Sequence, residues 1–467
     1  MNAASFADRD QMRAQFSRAM SEMYKNEVPL YGTLLELVAY TNEQRLNNDP
    51  DLAQHLHDTG ETQRLAAERH GAIRVGTAAE LATLGRLFAV MGMAPVGYYD
   101  LTPAGVPVHS TAFRAVHEGA LNVSPFRVFT SLLRLELIED PQLREFASAA
   151  LDKRCIFTAR TLQLIEQCER DGGLNAHDAE EFVVQALETF RWHSTATVTL
   201  DDYQRLNRQH RLIADVVAFR GPHINHLTPR TLDIDRVQAA MPDHGITPKA
   251  VVEGPPRRRC PILLRQTSFK ALDEAITFIG QADGETGRHS ARFGEVEQRG
   301  AALTPKGRAL YDRLLDTART QLGETPSEAN AARYQAVLEQ TFSAFPDDLE
   351  AMRTQALAYF RYFVTPAGLA ARGTGPLPHD LDALLGAGHV QYEALVYEDF
   401  LPVSAAGIFQ SNLGDDAQAQ YAVSSSQEDF HAALGRQTLN ELTLYADTQR
   451  RSLQVCSERL GVSLHLD

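Results

Sequence analysis

The sequence predicts an α+β fold, and three patterns along the 467 residues lead to this prediction. Residues 1–62 carry apolar side chains at helical spacing. Residues 63–120 and 221–300 each contain a strand, a helix and further strands, so they look like two copies of one unit. Residues 121–220 are mainly helical and separate the copies. The two copies therefore predict one elaborated domain, 1–467, built around a site between them.

The helical part at the start of the chain is amphipathic. Phe16, Met20 and Tyr24 recur at four-residue spacing and form one apolar stripe of a predicted helix. A second apolar helix is predicted over Tyr31–Tyr40. Helices of this kind bury their stripe against a neighbouring layer, so we expect residues 1–62 to cover a sheet.

The first copy of the repeated unit, residues 63–120, begins with a predicted strand at Ala72–Val75. Thr77 is then a plausible helix N-cap, and Glu80, three positions later, completes a capping box. The helix that follows is predicted over Ala78–Val90. Two further strands complete the unit, at Val96–Leu101 and Val108–Val116.

The rest of the chain alternates helical and strand-like segments. Helices of the insertion are predicted at Pro125–Ile138, Pro141–Glu169, Ala176–Phe190 and Asp201–Phe219. The second copy is predicted as a strand, a short helix and two strands, at His226–Leu232, Asp235–Met241, Ile262–Thr267 and His289–Gln298. Residues 301–467 are mixed and are expected to complete the site, with helices at Thr304–Leu322 and Phe430–Leu460.

Composition and charge exclude several classes of protein. The chain is 44% hydrophobic and 22% charged, and its formal net charge is −15. An acidic chain without a block of Lys and Arg does not predict a nucleic-acid-binding protein. No apolar run approaches the roughly 18 residues of a transmembrane helix, and the first residues are too polar for a signal peptide. Four cysteines without CxxC spacing predict neither a zinc ribbon nor a disulfide framework, so a soluble cytoplasmic protein is expected.

Each copy of the repeated unit contributes one histidine. His70 stands four residues before Arg74 in the first strand, and His226 stands four residues before Arg230 in the second. Residues i, i+2 and i+4 of a strand share a face, so each histidine projects beside its arginine. A single histidine in an apolar strand is more often a hydrogen-bonded residue than a ligand. Two histidines at equivalent positions favour a metal site between the copies.

A carboxylate on a third strand would complete this site. Glu295 and Glu297 have the same parity, so both can face one cavity. We assign Glu295 as the ligand and Glu297 as a supporting group; the opposite assignment stays open, and so does a solvated strand face. Two imidazoles and one carboxylate leave three positions open on an octahedral ion, which is the arrangement of non-haem Fe(II) oxygenases. The same ligands also suit Zn(II), Ni(II) or Mn(II).

Arg74 is the predicted anion-binding residue beside the metal site. Its planar guanidinium can hold a carboxylate through two hydrogen bonds, which suits a 2-oxo acid. Taken alone, Arg74 could equally be a surface salt-bridge residue. In a chain of net charge −15, a cation beside a metal indicates an anionic substrate. Arg230 follows Pro229 and is only a candidate second contact.

Four segments carry a resemblance to a known family: RHGAIRVGT, INHLTPRTLDID, RFGEVEQRGAALTPKGRALYD and VYEDFLPVSAAGIFQSNL. With the His-x-Ala-Ile-Arg-Val strand and the later Met-Gly-Met-x-Pro turn, they resemble the 2-oxoadipate dioxygenase/decarboxylase family of the vicinal-oxygen-chelate superfamily. The similarity runs nearly end to end. It implies a central curved β-sheet from two βαβββ-type modules around a metal, with extensive helical insertions and cover.

The resemblance also implies an activity. Members of this family are Fe(II) enzymes that convert 2-oxoadipate and O2 to 2-hydroxyglutarate and CO2 in bacterial lysine breakdown. By motif position the iron ligands are His70, His226 and Glu295, so the two histidines also border the substrate. Arg74 falls on the catalytic position that holds the substrate carboxylate. Val403 and Ser404 fall where the family contacts the distal end of the substrate.

Two other functions stay open from the residues alone. A different divalent-metal enzyme of the vicinal-oxygen-chelate type, an isomerase or a ring-cleaving dioxygenase, would use the same ligands. A non-catalytic dicarboxylate-binding protein would need the arginine but no oxygen chemistry. The expected partners are a small 2-oxo dicarboxylate and O2, with no nucleic acid and no membrane. Oxygen consumption on adding 2-oxoadipate and Fe(II) distinguishes the dioxygenase from the binding protein.

Overall fold

The computed structural model describes residues 6–281, 286–324, 326–401 and 426–464. The chain divides into two compact units. The first comprises Met1–Glu253, Gln266–Gln298 and Phe400–Leu439, and the second comprises Gly254–Arg265, Arg299–Asp399 and Asn440–Asp467.

Helices and strands are mixed along the chain, and the sheets are small. The strands are β1 (Arg69–Val75), β2 (Ala94–Asp100), β3 (Val108–Arg114), β4 (Phe126–Leu133), β5 (Thr195–Thr199), β6 (His226–Pro229), β7 (Leu264–Ser268), β8 (Glu274–Ile279), β9 (Gly287–His289), β10 (Glu295–Arg299), β11 (Phe360–Val364) and β12 (Val390–Ala394). The helices are α1 (Arg9–Glu27), α2 (Pro29–Asn47), α3 (Pro50–Asp58), α4 (Glu61–Ala67), α5 (Ala78–Val90), α6 (Glu118–Val123), α7 (Pro141–Asp152), α8 (Ala159–Asp171), α9 (Ala176–Leu187), α10 (Leu200–Gln209), α11 (Arg211–Val217), α12 (Ile234–Ala240), α13 (Pro305–Leu322), α14 (Ala331–Phe342), α15 (Leu349–Thr354), α16 (Pro366–Ala371), α17 (Leu381–Gly386), α18 (Gln427–Leu434) and α19 (Glu441–Leu460). The predicted α+β class is confirmed.

The first helix packs its apolar stripe against the largest sheet. Phe16 and Met20 are fully buried in the same apolar core as Ile73 of β1 and Phe126 of β4. The rings of Phe16 and Phe126 meet edge to face at 5.8 Å. The Tyr24 hydroxyl lies 2.8 Å from the backbone carbonyl of Asn225, directly before β6. This contact holds α1 against the strand that carries His226.

The first copy of the repeated unit forms a strand, a helix and two strands, β1, α5, β2 and β3, and β4 follows beyond its predicted end at residue 120. Helix α5 begins at the predicted capping box, which is confirmed: Thr77 Oγ1 accepts from the Glu80 N–H at 3.2 Å. The sheet order is β2-β3-β4-β1-β6. β1 runs parallel to β4 and antiparallel to β6, so it is a central strand with partners on both sides.

The predicted helix at Pro125–Ile138 is wrong, because this segment forms strand β4. Every residue of β4 is buried, and the strand pairs with β3 on one side and β1 on the other. A strand covered on both faces loses the polar–apolar alternation that identifies strands in a sequence. From its sequence alone, the segment FRVFTSLL therefore resembles part of a buried helix.

Three long predicted helices are each interrupted. Asp201–Phe219 is divided at His210 into α10 and α11. Pro141–Glu169 is divided into α7 and α8, and Thr158 caps the start of α8 through its side chain. Phe430–Leu460 is divided into α18 and α19; Gly435 ends α18 with φ +74°, a left-handed conformation that glycine adopts without strain. Apolar periodicity continues through such short breaks, so it does not reveal them.

The second copy of the unit departs from the first. β6 pairs with β1, while β10 pairs with β7. A parallel bridge joins Arg230 to Glu297, and the Thr231 N–H donates to the Glu297 carbonyl at 2.7 Å. β8 and β9 instead join β5 in a separate three-stranded sheet. The predicted strand His289–Gln298 is consequently two strands, β9 and β10, which belong to different sheets.

The second unit is a small α+β assembly. α13 packs against α14, and Thr304 caps α13. β11 and β12 pair antiparallel, with Phe360 opposite Ala394, and α19 packs along β11. Within the described residues of both units, no helix has the length and apolar character needed to cross a membrane.

Candidate metal centre

Strands β1 and β6 bring two histidine side chains together. In their antiparallel pairing Ala72 lies opposite His226, and His70 lies opposite Thr228. The two imidazole centroids are 5.5 Å apart, with the rings perpendicular at 90°. Both side chains are fully buried. The strand register therefore places the histidine of each copy on one face, beside its counterpart.

Strand β10 adds a carboxylate to the histidine pair. The Oε1 atom of Glu295 lies 3.1 Å from Nε2 of His70. One potential ligand atom from each of His70, His226 and Glu295 lies within 4.8 Å of the others, and all three residues are buried. A divalent ion bonds histidine nitrogen and carboxylate oxygen at about 2.0–2.2 Å, so one ion can reach all three. The structure thus brings together the three residues predicted as ligands.

Glu297 occupies a different position on the same imidazole. Its Oε2 atom lies 2.8 Å from Nδ1 of His70, while Glu295 faces Nε2. A metal-ligating histidine commonly donates its other ring N–H to a carboxylate, which fixes the ring. This arrangement favours Glu295 as the group that faces an ion and Glu297 as the group that orients His70.

Neighbouring polar side chains orient Glu295. Its Oε1 atom accepts hydrogen bonds from Thr228 Oγ1 at 3.1 Å and from Gln266 Nε2 at 2.6 Å. Burial raises the pKa of Glu295, partly opposed by His70. Burial, reinforced by the charges of His70 and Arg74, holds the pKa of His226 well below its usual value. His226 is accordingly a neutral imidazole with nitrogen lone-pair character, the form that binds metals.

Several buried polar atoms of the site have no protein partner. Both ring nitrogens of His226 and the Oε2 atom of Glu295 lack a hydrogen bond within the described part of the chain. Each unsatisfied buried polar group costs about 1–3 kcal/mol. A divalent cation would engage one imidazole nitrogen and the carboxylate. The residues present therefore fit a resident metal ion.

Aromatic side chains enclose the centre. The ring of Phe400 meets His70 edge to face at 4.9 Å, and the ring of Phe293 stacks on His226 at 4.9 Å. Phe129 packs against Phe400 at 5.3 Å. An apolar enclosure strengthens electrostatic interactions within the site, because it keeps water away from the charged groups.

The two arginines of the repeat have different surroundings. Arg74 donates from Nη1 to Oδ2 of Asp215 at 2.7 Å and lines a cavity beside Phe293. Arg230 donates from Nη1 to Glu61 at 2.8 Å and to Glu68 at 3.0 Å. Arg230 is thus part of a buried ionic network, and these bonds give no support to the predicted second substrate contact.

The cavity beside the centre has a cationic lining. Arg74, Arg211 and Lys249 line it together with Asp215, the one carboxylate among its described lining residues. Burial, reinforced by the charge of Arg211, lowers the pKa of Lys249 to about 8. Such a lining suits an anionic ligand. Val403 and Ser404, predicted to contact the distal end of the substrate, lie outside the described residues.

A second buried cluster was missed by the sequence reasoning. Asp215, His223 and His289 are buried, and one ligand-type atom from each lies within 4.8 Å of the others. His223 stands three residues before His226, which is a weak signal in the sequence. Asp215 and His289 lie in a helix and at a strand end with no motif to single them out. Gln266, which orients Glu295, gave no signal either.

Comparison with known proteins gives consistent matches over almost the whole chain. Residues 16–412 match the family described as 2-oxoadipate dioxygenase/decarboxylase. The 2-oxoadipate dioxygenase/decarboxylase of Pseudomonas putida is 68% identical over 462 residues, which cover 99% of both chains. The protein of the same name from Escherichia coli is 57% identical over 447 residues, 96% of this chain and 98% of that one. The crystal structure of the hydroxyglutarate synthase from Pseudomonas putida in complex with 2-oxoadipate has a TM-score of 0.93 and 66% identity, covering 98% of this chain and 100% of that chain.

Proposed function

The chain belongs to the 2-oxoadipate dioxygenase/decarboxylase family and is an oxidoreductase, and we propose that it converts 2-oxoadipate and O2 to 2-hydroxyglutarate and CO2. The bond between C1 and C2 of the 2-oxo acid breaks, and C1 leaves as CO2. One oxygen atom of O2 enters the new carboxyl group at C2, and the other forms the hydroxyl group at C3. Atoms balance with one organic substrate, which supports a single 2-oxo acid as substrate and cosubstrate. The place proposed for this reaction is lysine catabolism.

We propose that His70, His226 and Glu295 hold Fe(II). The unpartnered nitrogens of His226 and the unpartnered Oε2 of Glu295 support this assignment above all other observations. Fe(II) held by two imidazoles and one carboxylate supplies three open coordination positions and the electrons for oxygen chemistry. Glu297 holds the ring of His70 through Nδ1, so Nε2 would be the nitrogen available to the ion.

The remaining residues bind and shield the substrate. Arg74 is proposed to hold a substrate carboxylate, so that only one carbon of the chain lies within reach of the oxidant. Phe293 and Phe400 exclude water from the centre, which limits unproductive oxidation. Arg211 and Lys249 add positive charge at the adjoining cavity. A substrate with two carboxylates complements that charge.

The proposed reaction is tested by its stoichiometry. Protein purified without oxygen and loaded with Fe(II) is mixed with 2-oxoadipate and then exposed to O2. We expect one O2 consumed for each CO2 and each 2-hydroxyglutarate formed. Absence of O2 uptake under reducing conditions contradicts the dioxygenase proposal, and binding without uptake favours a dicarboxylate-binding protein.

The pair Glu295 and Glu297 provides a prediction about metal affinity. Glu297→Gln removes a charge that orients His70 but no proposed ligand, so we expect Fe(II) affinity to fall about 10- to 100-fold. Glu295→Gln removes a ligand and should lower Fe(II) affinity considerably further. The measurement is anaerobic Fe(II) titration of both variants and the wild type. A larger loss in Glu297→Gln would reverse the assignment.

Lys249 provides a prediction about pH. Burial lowers its pKa to about 8, so the amine is charged below that pH and loses its charge above it. We therefore expect the KM for 2-oxoadipate to rise about fivefold between pH 7 and pH 9, as one interaction of about 1 kcal/mol is lost. Lys249→Arg, which stays charged throughout, should keep a low and pH-independent KM. A wild-type KM that does not change over this interval contradicts the prediction.

A further inference from the structure

A polar cluster behind Arg74 has no role in the proposed chemistry so far. Asp215 lies on α11, His223 follows that helix, and His289 ends β9. The Oδ1 atom of Asp215 lies 3.2 Å from Nε2 of His223 and 3.0 Å from Nε2 of His289. Its Oδ2 atom accepts a hydrogen bond from Nη1 of Arg74 at 2.7 Å. Both oxygens of one buried carboxylate are therefore engaged, one by imidazoles and the other by Arg74.

Outer contacts fix the two imidazoles. Nδ1 of His289 lies 2.8 Å from the Tyr203 hydroxyl, so both nitrogens of this ring have partners. The ring of Trp192 meets His223 edge to face at 4.6 Å and stacks with His289 at 6.1 Å. These neighbours leave the imidazoles little freedom to turn, so the position of Asp215 is also fixed.

The cluster has metal-ligand residues, and Nε2 of His223 also lacks a hydrogen bond within the described chain, but its carboxylate differs from that of the first centre. There, both nitrogens of His226 have no partner within the described chain. Glu295 has an oxygen without a partner among the described residues, whereas here Oδ1 of Asp215 is hydrogen-bonded to His289 and lies 3.2 Å from Nε2 of His223, and Oδ2 is bonded to a guanidinium. A cation at this position would share one carboxylate with the positive charge of Arg74, which is electrostatically unfavourable. The observed contacts favour a hydrogen-bonded support over a second metal site.

We propose that Asp215, held by His223 and His289, is a positioning residue that orders the guanidinium of Arg74 before the substrate binds. This inference rests on the proposed role of Arg74 in holding a substrate carboxylate. A free arginine side chain loses considerable rotational freedom when it is fixed by a ligand, and prior ordering removes that cost from binding. Asp215 also lines the cavity, so the ion pair stands at the surface that meets the ligand.

The direction in which Asp215→Asn changes the Kd for 2-oxoadipate distinguishes a positioning role from a simple effect of charge. Asp215→Asn removes a negative charge beside Arg74, so charge alone would make an anion bind more tightly. Loss of ordering has the opposite effect, and we expect the Kd for 2-oxoadipate to rise about 10- to 30-fold. A Kd that is unchanged or lower overturns the proposal.

A double-mutant cycle tests whether Asp215 acts through Arg74. The Kd of 2-oxoadipate is measured by calorimetry without O2 on the Fe(II)-loaded wild type, Asp215→Asn, Arg74→Gln and the double variant. We expect Asp215→Asn to cause no further loss once Arg74 is replaced. Equal losses in both backgrounds indicate a general structural effect and overturn the proposal. The exposed Asp201→Asn, on the preceding helix, is the control and should leave the Kd unchanged.

Two further measurements keep the outcome clear. If Asp215→Asn does not fold, Tyr203→Phe is used instead, because it removes only the hydroxyl group that contacts His289. The proposal is supported if Tyr203→Phe raises the Kd for 2-oxoadipate in the wild type but not in the Arg74→Gln variant. An unchanged Kd in the wild-type background overturns it. A second equivalent of bound metal, lost in Asp215→Asn, would overturn it in favour of a metal site. If the wild type binds 2-oxoadipate but consumes no O2, the proposed reaction is contradicted, while the double-mutant cycle still tests the role of Asp215. A wild type that does not bind 2-oxoadipate contradicts both the proposed reaction and the positioning role of Asp215.

Discussion

A His226→Leu variant is expected to lose Fe(II) binding and turnover while keeping its fold. Leucine has a similar volume and no ligand atom. Neither nitrogen of His226 has a hydrogen-bond partner among the described residues, so the substitution breaks no protein hydrogen bond known there. It also removes a buried polar ring that stacks on Phe293. We expect the metal-free variant to be at least as stable as the metal-free wild type, since the unsatisfied polar atoms disappear.

The measurement combines metal content with thermal unfolding. Fe(II) at about 100 times its Kd should stabilise the wild type by about 2.7 kcal/mol and leave the variant unchanged. Turnover should fall well beyond the roughly 10- to 100-fold effect of a residue that only supports a ligand. His57→Ala, an exposed histidine of α3, is the control and should behave as wild type. A His226→Leu protein that retains Fe(II) at wild-type affinity would remove His226 from the proposed ligands.

His70→Ala is a less clean test of the same centre. His70 lies between two carboxylates, Glu295 at Nε2 and Glu297 at Nδ1. Its removal deprives both buried glutamates of a partner, so destabilisation and metal loss would occur together. Wild-type turnover in this variant would nevertheless contradict the ligand assignment, because no other described residue occupies its place between the two glutamates.

The parts of the site that follow from local spacing could be predicted from the sequence. Strand parity placed Glu295 and Glu297 on one face, and the structure has both in contact with His70. Equivalent positions in two copies brought His70 and His226 together, because β1 and β6 are neighbours in one sheet. The capping box at Thr77 is equally local, since all its atoms lie within one helical turn.

The parts that depend on distant partners could not be predicted. β4 is a strand because β1 and β3 flank it, and nothing within its eight buried residues reveals those neighbours. Asp215 and His289 are separated by 74 residues and meet only in the folded chain. The different environments of Arg74 and Arg230 have the same origin. Each arginine is four residues from its histidine, but Asp215 meets the first and Glu68 meets the second.

Glu68→Gln is expected to lower the free energy of unfolding by about 3–5 kcal/mol, the range observed when one partner of a buried ion pair is removed. Glu68 is fully buried, and its Oε1 atom lies 2.8 Å from Nη2 of Arg127 on β4. Its Oε2 atom lies 3.0 Å from Nη1 of Arg230, directly after β6. One carboxylate thus joins arginines at the strands on either side of β1. Glutamine keeps the shape of Glu68 but leaves three buried guanidinium groups, those of Arg64, Arg127 and Arg230, without its charge.

Glu61→Gln is the matched control, because Glu61 contacts the same atom of Arg230 at 2.8 Å but is 15% exposed. Because the carboxylate of Glu61 keeps contact with water and Arg230 keeps its pair with Glu68, this variant should lose clearly less stability than Glu68→Gln in a urea titration. The folded fraction of Glu68→Gln should still bind Fe(II), since Glu68 contacts none of the three proposed ligands in the contacts described. Equal stability of the two variants would contradict the special role of Glu68. β1 carries His70 and lies between the two strands that Glu68 joins. Loss of Fe(II) affinity in the folded Glu68→Gln protein would therefore show that the ion pairs of Glu68 position the proposed metal centre.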